Sequence, residues 1–320
     1  MSEMTEKLLS VIREGTSFLV STHVNPEGDA IGSEIAFALG LRKMGKMVYV
    51  YNQDPVPYYL RFLEGADLIH TEPPDTDFEV GVLLDCASPE RTGTAGEAVD
   101  SCETLICIDH HITNGGYGDA YLIDPAASST GELVFTVLER LGVEIDLPIG
   151  NALWVSIATD TGWFRYSNTT EKSLEIARTL LSLGVKPWVL SEELYGCDPP
   201  ERYYLLSRLL HRMEVDDGVA SMTVFKRDME DFGATKDFLE GFINYPRSLK
   251  GVKVAVLYRE EDGKVKVSLR ARGDVNVDGF ARSFGGGGHE KAAGFTLTGS
   301  VEEVKSLVHG KLKEFLKEYA

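Results

Sequence analysis

Short apolar runs alternate with longer amphipathic stretches over the first half of the chain. Three of them, 17–22, 79–84 and 104–108, are too short for helices and show no polar alternation. Runs of that kind read as strands buried on both faces of a parallel sheet. Residues 47–51 read as a fourth strand. Residues 3–13 gather Leu8, Leu9, Val11 and Ile12 on one side and predict an amphipathic helix. Further helices are predicted over 30–44, 132–141, 150–159 and 171–183, with Gly45, Gly142 and Gly184 closing the first, second and fourth. Asp29 stands where the N-cap of the 30–44 helix belongs. A short helix is predicted over 61–64, and Pro73 and Pro74 break the chain before the 79–84 strand. Strands alternating with helices imply a parallel sheet covered on both sides.

The pattern changes after Gly184. A helix is predicted over 201–213, then strands over 219–226, 252–258 and 264–270. Asp262-Gly263 is a hairpin turn between the last two. Residues 301–319 predict a closing helix. The expected architecture is an α/β domain over 1–186, a linker helix region over 187–213, and a smaller α+β domain over 214–320.

Polar groups crowd the ends of the buried runs. His23, Glu27 and Asp29 follow the first, Asp85 ends the second, and Asp109-His110-His111 ends the third. The carboxyl edge of an open α/β sheet is where ligands bind. Asp160 adds a further acid at the end of an apolar helical stretch. Carboxylates crowd at high cost unless positive charge lies between them. No Lys or Arg occurs in these segments, so a divalent metal is the simplest neutraliser. His23, Glu27 and Asp85 suit one ion; Asp29, His110 and Asp160 suit a second, with Asp85 bridging. Mixed carboxylate and imidazole donors favour two Mn²⁺, with Mg²⁺ or Co²⁺ as substitutes. Two such ions clamp a phosphate and acidify a bridging water for in-line attack. His111 is placed to donate to a phosphate oxygen or to protonate the leaving group. Plainer readings stand beside these. Asp29 alone is simply an N-cap, His23 alone reads as ligand or core residue, and Asp109 as a partner that orients an imidazole. His70, His211 and His309 read as hydrogen-bonded core residues.

Charge and cysteine usage narrow the partners. The formal net charge of −18 over 320 residues argues against gripping long duplex DNA or an anionic membrane by overall attraction, and leaves room for a short nucleic-acid substrate in a local basic pocket. Cys86, Cys102, Cys107 and Cys197 form no CxxC pair and read as reduced. No export pattern opens the chain, and no apolar run approaches the roughly 20 residues of a membrane span. A cytoplasmic protein is expected.

In the second domain Gly285 to Gly288 precede His289, a run that lets backbone N–H groups approach an anion. Arg270 and His289 are candidate substrate contacts, with Arg272, Arg282 and Lys291 behind them. Phe284 is a stacking residue or a core residue. Nearer the metals, Arg91 is a phosphate contact or a surface cation, and Ser128-Ser129-Thr130-Gly131 opens a helix whose N-terminus suits an anion or plain capping.

Together, His23-Val24-Asn25-Pro26-Glu27-Gly28-Asp29-Ala30, Asp85, Asp109-His110-His111 and Asp160 resemble the four motifs of the DHH phosphoesterase superfamily. Gly286-Gly287-Gly288-His289 with Ala292-Ala293-Gly294 resembles its DHHA1 domain, so the likeness spans nearly the whole chain. It implies an N-terminal DHH catalytic domain holding two Mn²⁺. His23, position 27 and Asp85 would hold one; Asp29, Asp85, His110 and Asp160 the other; His111 would face the scissile phosphate. It also implies that Gly287, Gly288 and their neighbours bind the nucleotide end of the substrate. The compact nanoRNase/pAp-phosphatase group fits the length. That implies hydrolysis of short oligoribonucleotides, including pApA, to mononucleotides, and removal of the 3′-phosphate of pAp, with a homodimer as a candidate assembly. Glu27 departs from the usual Asp by one methylene, which bears on the first metal position. Two other readings are open: pyrophosphate or polyphosphate hydrolysis, and a nucleotide-binding regulator whose metal site has degenerated.

Overall fold

The computed structural model describes residues 3–319, the side chain of His289 excepted. The chain divides between Cys197 and Asp198 into two units, each with its own sheet.

The first sheet has strands β1 (Ser17–Ser21), β2 (Met47–Tyr51), β3 (Ile69–His70), β4 (Val80–Leu84), β5 (Thr104–Asp109) and β6 (Ala120–Ile123). All are parallel, in the order β3-β2-β1-β4-β5-β6. The order reverses direction between β1 and β4, and that switch point opens a crevice at the carboxyl ends. Helix α1 (Glu3–Glu14) packs beside β6. Helices α2 (Gly28–Lys43), α4 (Thr130–Arg140) and α5 (Leu147–Asp160) cover one face over Phe18, Val20, Val82, Leu84 and Ile108. The other face buries Leu19 and Leu83 against Ala95 and Val99 of the short helix α3 (Ala95–Asp100). Helices α6 (Glu171–Ser182) and α7 (Pro187–Tyr195) complete the unit.

In α2, glycine permits a close approach that sets the site. A Cβ on Gly32 would lie 2.4 Å from the Ala152 carbonyl oxygen, and one on Gly28 2.4 Å from Thr159 Oγ1. The helix therefore sits directly against α5, which brings Asp29 to Ser156.

The second unit contains β7 (Glu214–Asp216), β8 (Val219–Val224), β9 (Val254–Glu261), β10 (Lys264–Ala271), β11 (Gly287–His289) and β12 (Ala292–Thr298). Their order is β11-β12-β10-β9-β8-β7, antiparallel except between β8 and β9. The Asp262-Gly263 hairpin forms as expected, with Lys264 opposite Glu261. Helices α11 (Val277–Arg282) and α12 (Val301–Leu316) pack on one face through Phe280, Val304, Val308 and Leu312. Helix α8 (Pro200–His211) packs on the other through Leu205 and Leu209, with Phe242 and Ile243 beside α10 (Asn244–Ser248). A short α9 (Lys226–Asp231) joins β8 to that layer.

Several expectations change. Asp29 is not an N-cap: α2 begins at Gly28 with Glu27 as its cap residue, and Asp29 turns inward from the first turn. Residues 61–64, predicted as a short helix, are instead the turn between two 3-10 turns, Tyr58–Leu60 and Ala66–Leu68. Residues 187–213 hold α7 in the first unit and α8 in the second rather than one helix region. Strands β3, β6, β7, β11 and β12 have no counterpart among the expected strands. Among the described residues, no helix is long and apolar enough to cross a membrane.

Candidate active site

Asp85 follows β4 in the left-handed region, at φ 53°. That conformation is uncommon for a non-glycine residue and is held by its surroundings. Its N–H donates to the Ile108 carbonyl at 3.0 Å, and Thr130 Oγ1 donates to its Oδ1 at 2.9 Å. The carboxylate is aimed where three imidazoles converge. His23 Nδ1 donates to the Val24 carbonyl at 2.9 Å, which turns Nε2 to within 3.7 Å of Asp85 Oδ2. His110 Nδ1 donates to the Ala127 carbonyl at 3.3 Å. A carbonyl can only accept, so both rings carry their proton on Nδ1 and present Nε2 as a donor atom for a metal.

His110 Nε2 lies 3.6 Å from Asp29 Oδ2, 3.7 Å from Asp85 Oδ1 and 3.8 Å from Asp160 Oδ2. These separations are too long for hydrogen bonds. They match atoms that each sit about 2.1 Å from one shared ion, which lie roughly 3–4 Å apart. Two overlapping groups could hold a divalent ion: Asp85, His110 and His111, and Asp29, His110 and Asp160. In each the donor atoms lie within 4.8 Å of one another.

Asp29 is buried. Its Oδ1 accepts from Ser156 Oγ at 2.5 Å, Ser33 Oγ at 3.1 Å and Gly131 N–H at 3.1 Å. Its Oδ2 accepts from Thr130 N–H at 2.8 Å and faces His110. The anion at the N-terminus of α4 is thus the chain's own Asp29, while Ser129 caps the helix through Glu132 N–H. Asp109 is fully buried. Its Oδ1 accepts from His110 N–H, His111 N–H and His111 Nδ1, at 2.8, 3.2 and 2.7 Å. Its Oδ2 accepts from Asn114 Nδ2 at 2.8 Å. With its lone pairs occupied, Asp109 orients His111, whose Nδ1 also lies 3.5 Å from Asp85 Oδ1.

The electrostatics record crowded charge. Burial and Asp85 push Asp29 up to about 6. Burial, then Asp29 and Asp85, push Asp160 well above the ordinary carboxylate range. Burial opposes the charge on Asp85 too, but the adjoining His23 ring and the charges of His111 and His110 hold it far below that range. His110 goes up to about 9: burial works against the cation, and Asp160, Asp29 and Asp85 outweigh it. A central cation would replace these shifts by favouring every carboxylate and the neutral rings.

Not every expected residue joins the cluster. Glu27 is exposed at the start of α2 and lies outside both groups, though its charge helps raise Asp160. Arg91 sits half-buried in a 3-10 turn whose Arg91 carbonyl accepts from Val24 N–H, and its charge is felt by His23. In the second unit Arg270 is half-buried on β10 and donates to the Leu269 carbonyl at 3.1 Å. Arg272 instead ties down the end of α10, donating to the Arg247 and Leu249 carbonyls at 3.2 and 3.1 Å. Arg282 pairs with Asp278, and Lys291 donates to the Val275 carbonyl. Phe284 stacks on Phe295 at 4.6 Å within the core. Gly287 and Gly288, the second half of the glycine run, open the edge strand β11. Gly288 N–H donates to Asp278 Oδ1 at 2.9 Å, and a Cβ on Gly288 would lie 2.4 Å from the Ala292 carbonyl oxygen. The proposed contact of the His289 side chain lies outside the described residues.

Sequence reasoning missed the residues that hold the acids. Asn168 Nδ2 donates to Asp160 Oδ2 at 3.0 Å and to the Ser128 carbonyl at 3.0 Å. Ser33, Ser156 and Asn114 belong with it. The glycine pair in α2 and the small Ser156 opposite were the only signals.

Residues 17–158 match the DHH family N-terminal domain, and residues 216–318 match the DHHA1 domain. A bifunctional oligoribonuclease and PAP phosphatase NrnA from Thermus thermophilus is 37% identical over 284 residues, covering 88% of this chain and 84% of the relative. The chain belongs to the DHH/DHHA1 phosphoesterase family. A Bacillus subtilis DHH relative, also described as a bifunctional oligoribonuclease and PAP phosphatase NrnA, is 26% identical over 92% of this chain and 93% of its own length. The crystal structure of an exopolyphosphatase-related protein from Bacteroides fragilis matches with a TM-score of 0.90 at 26% identity, covering 100% of this chain and 99% of that one. Membership makes this DHH protein a hydrolase of phosphoester bonds.

Proposed function

We propose that this protein is a manganese-dependent phosphodiesterase that cleaves short oligoribonucleotides, linear pApA among them, to mononucleotides and removes the 3′-phosphate of pAp. The observation that carries this reading is the His110 cluster of acids and imidazoles, in a chain that shares 37% identity with a bifunctional oligoribonuclease and PAP phosphatase. In this reading His23, Glu27 and Asp85 would hold one ion, and Asp29, His110 and Asp160, with Asp85, the other. Ions held there would supply charge neutralisation at the phosphate and acidification of a water. The protein's own groups do the rest. Asp109 keeps the His111 ring oriented, and His111 supplies a proton to the leaving oxygen. Arg91 offsets charge on the phosphate, and Arg270, Gly287, Gly288 and His289 are the substrate contacts of the second unit. A cytoplasmic homodimer acting on short RNA completes the proposal.

The test is turnover of pApA, a short 5′-phosphorylated RNA, pAp and pyrophosphate by the pure protein in Mn²⁺, with and without chelator. AMP from pApA and from the RNA is expected, with at least a 10³-fold loss in Asp85→Ala. Phosphate from pyrophosphate or polyphosphate alone would replace this reading by the one that the Bacteroides relative's description favours. Nucleotide binding without turnover of any substrate would favour a regulator.

A further inference from the structure

Asn114 lies buried in the turn after β5, and its amide is fixed at both ends. Its Oδ1 accepts from Gly116 N–H at 3.0 Å, which identifies Nδ2 as the atom facing Asp109 Oδ2 at 2.8 Å. The same Nδ2 lies 3.3 Å from the Cys86 carbonyl oxygen and 3.5 Å from Cys107 Sγ. Tyr117 Oη donates to that same Cys86 carbonyl at 2.6 Å.

One amide therefore reaches the ends of two neighbouring strands. The Cys86 carbonyl lies in the peptide that joins Cys86 to Ala87, one residue beyond Asp85, whose φ of 53° must be held by its surroundings. Two donors, Asn114 and Tyr117, pin that carbonyl. On the other side Asp109 Oδ1 already serves His110 and His111, and Asn114 stops the carboxylate from turning by engaging Oδ2. A buried carboxylate that loses a donor keeps its desolvation cost and gains freedom to rotate. His111 would lose its orientation with it.

We infer that Asn114 is a positioning residue with two arms, holding His111 through Asp109 and holding Asp85 through the Cys86 peptide. Tyr117 shares only the second arm. Only the activity readout of this inference rests on the proposed function.

The full chain is compared with Asn114→Ala, Asn114→Leu and Tyr117→Phe. Leucine fills the site and cannot donate, so it serves if the alanine variant fails to fold. Three readings are taken: kcat and KM on the short RNA in Mn²⁺, Mn²⁺ affinity by titration calorimetry, and the His111 ring tautomer by ¹⁵N NMR of the diamagnetic Mg²⁺-treated protein. Both Asn114 variants should lose about 10- to 100-fold in kcat with KM nearly unchanged. Their His111 should also lose its fixed Nδ1–H signature. Tyr117→Phe should keep that signature and weaken Mn²⁺ binding by up to about tenfold. A folded Asn114 variant with wild-type kcat and an unaltered His111 spectrum would overturn the inference. If the wild type turns over no RNA, the proposed function fails. The His111 spectrum and the Mn²⁺ isotherm still decide the role of Asn114.

Discussion

The two units bury acids in opposite ways. In the second, Asp228 is 3% exposed and carries its own cations: Arg208 donates at 3.3 Å, Arg212 donates to the other oxygen, and Phe225 N–H adds a third bond at 2.9 Å. Burial resists its charge, yet these partners hold the carboxyl below the ordinary range. In the first unit Asp29, Asp85 and Asp109 are buried just as deeply and meet imidazoles, hydroxyls and N–H groups instead. Glu34 is buried with only Asn52 Nδ2 on its Oε2, at 2.7 Å, and its Oε1 has no partner among the described residues. An acid buried with arginine is electrically complete. Acids buried with neutral donors leave a deficit that a cation from outside can fill, and that contrast separates a structural network from a reactive site.

The contrast can be broken by packing first. A Cβ on Gly32 would meet the Ala152 carbonyl at 2.4 Å, whereas one on Gly287 would meet nothing nearer than Asp278 Oδ1 at 3.6 Å. Gly32→Ala should cost about 3 kcal/mol or more in a denaturant melt, and Gly287→Ala less than about 1. Equal costs would mean that the first unit tolerates separation of α2 from α5.

A pH series sharpens the comparison with a smaller effect. Burial pushes Glu34 up to about 8, against the hydrogen bond from Asn52, from an ordinary value of 4.5. The folded chain keeps a proton there that the unfolded chain releases. This stabilising contribution is complete below 4.5 and is lost as pH rises through about 8. Glu34→Gln should therefore gain on the wild type by roughly 2.5 kcal/mol on going from pH 5 to pH 7. Asp228 has the opposite sign, giving stability above its unfolded value of 3.8 that is lost as pH falls through its lower folded value. Asp228→Asn should lie furthest below the wild type near neutrality and approach it in acid. Parallel curves for the two variants would remove the distinction.

The smallest effects compare two arginines. Arg270→Ala should raise KM for the short RNA roughly tenfold, or about 1.4 kcal/mol. Arg272→Ala should leave turnover unchanged and lower stability by about 1 kcal/mol, the worth of its bonds to α10. A rise in KM for Arg272→Ala instead would return that residue to the substrate site.

What the sequence disclosed follows the same physics. Strands β1, β4 and β5 each carry a short apolar run, so His23, Asp85 and the Asp109-His110-His111 triplet stood out at their ends. Strand β12 opens Ala292-Ala293-Gly294 and gives no such signal, because it is β10 alongside that makes it a strand. The duty of Asp29 depended on Thr130, 101 residues away, and on Ser156, 127 away. Local spacing offered a cap, and the acids gathered at the strand ends offered a metal ligand; neither disclosed these partners. Carbonyls and phosphates attract the same guanidinium, and the sequence does not say that the Arg247 and Leu249 carbonyls lie within reach of Arg272. Asn114 and Asn168 carried no signal as short polar residues in turns.

The first unit draws its cluster from four widely spaced segments, and the last contributor, Asp160, is the final residue of α5. Synthesis on the ribosome proceeds in that order. A growing polypeptide holds Asp29, Asp85 and His110 for some time before Asp160 emerges to close the group. The unit ends soon after, at Cys197, before any of β7 to β12 exists. Every contributor to the cluster is therefore made before the first residue of the second unit, and none of the partners described above for it comes from that unit.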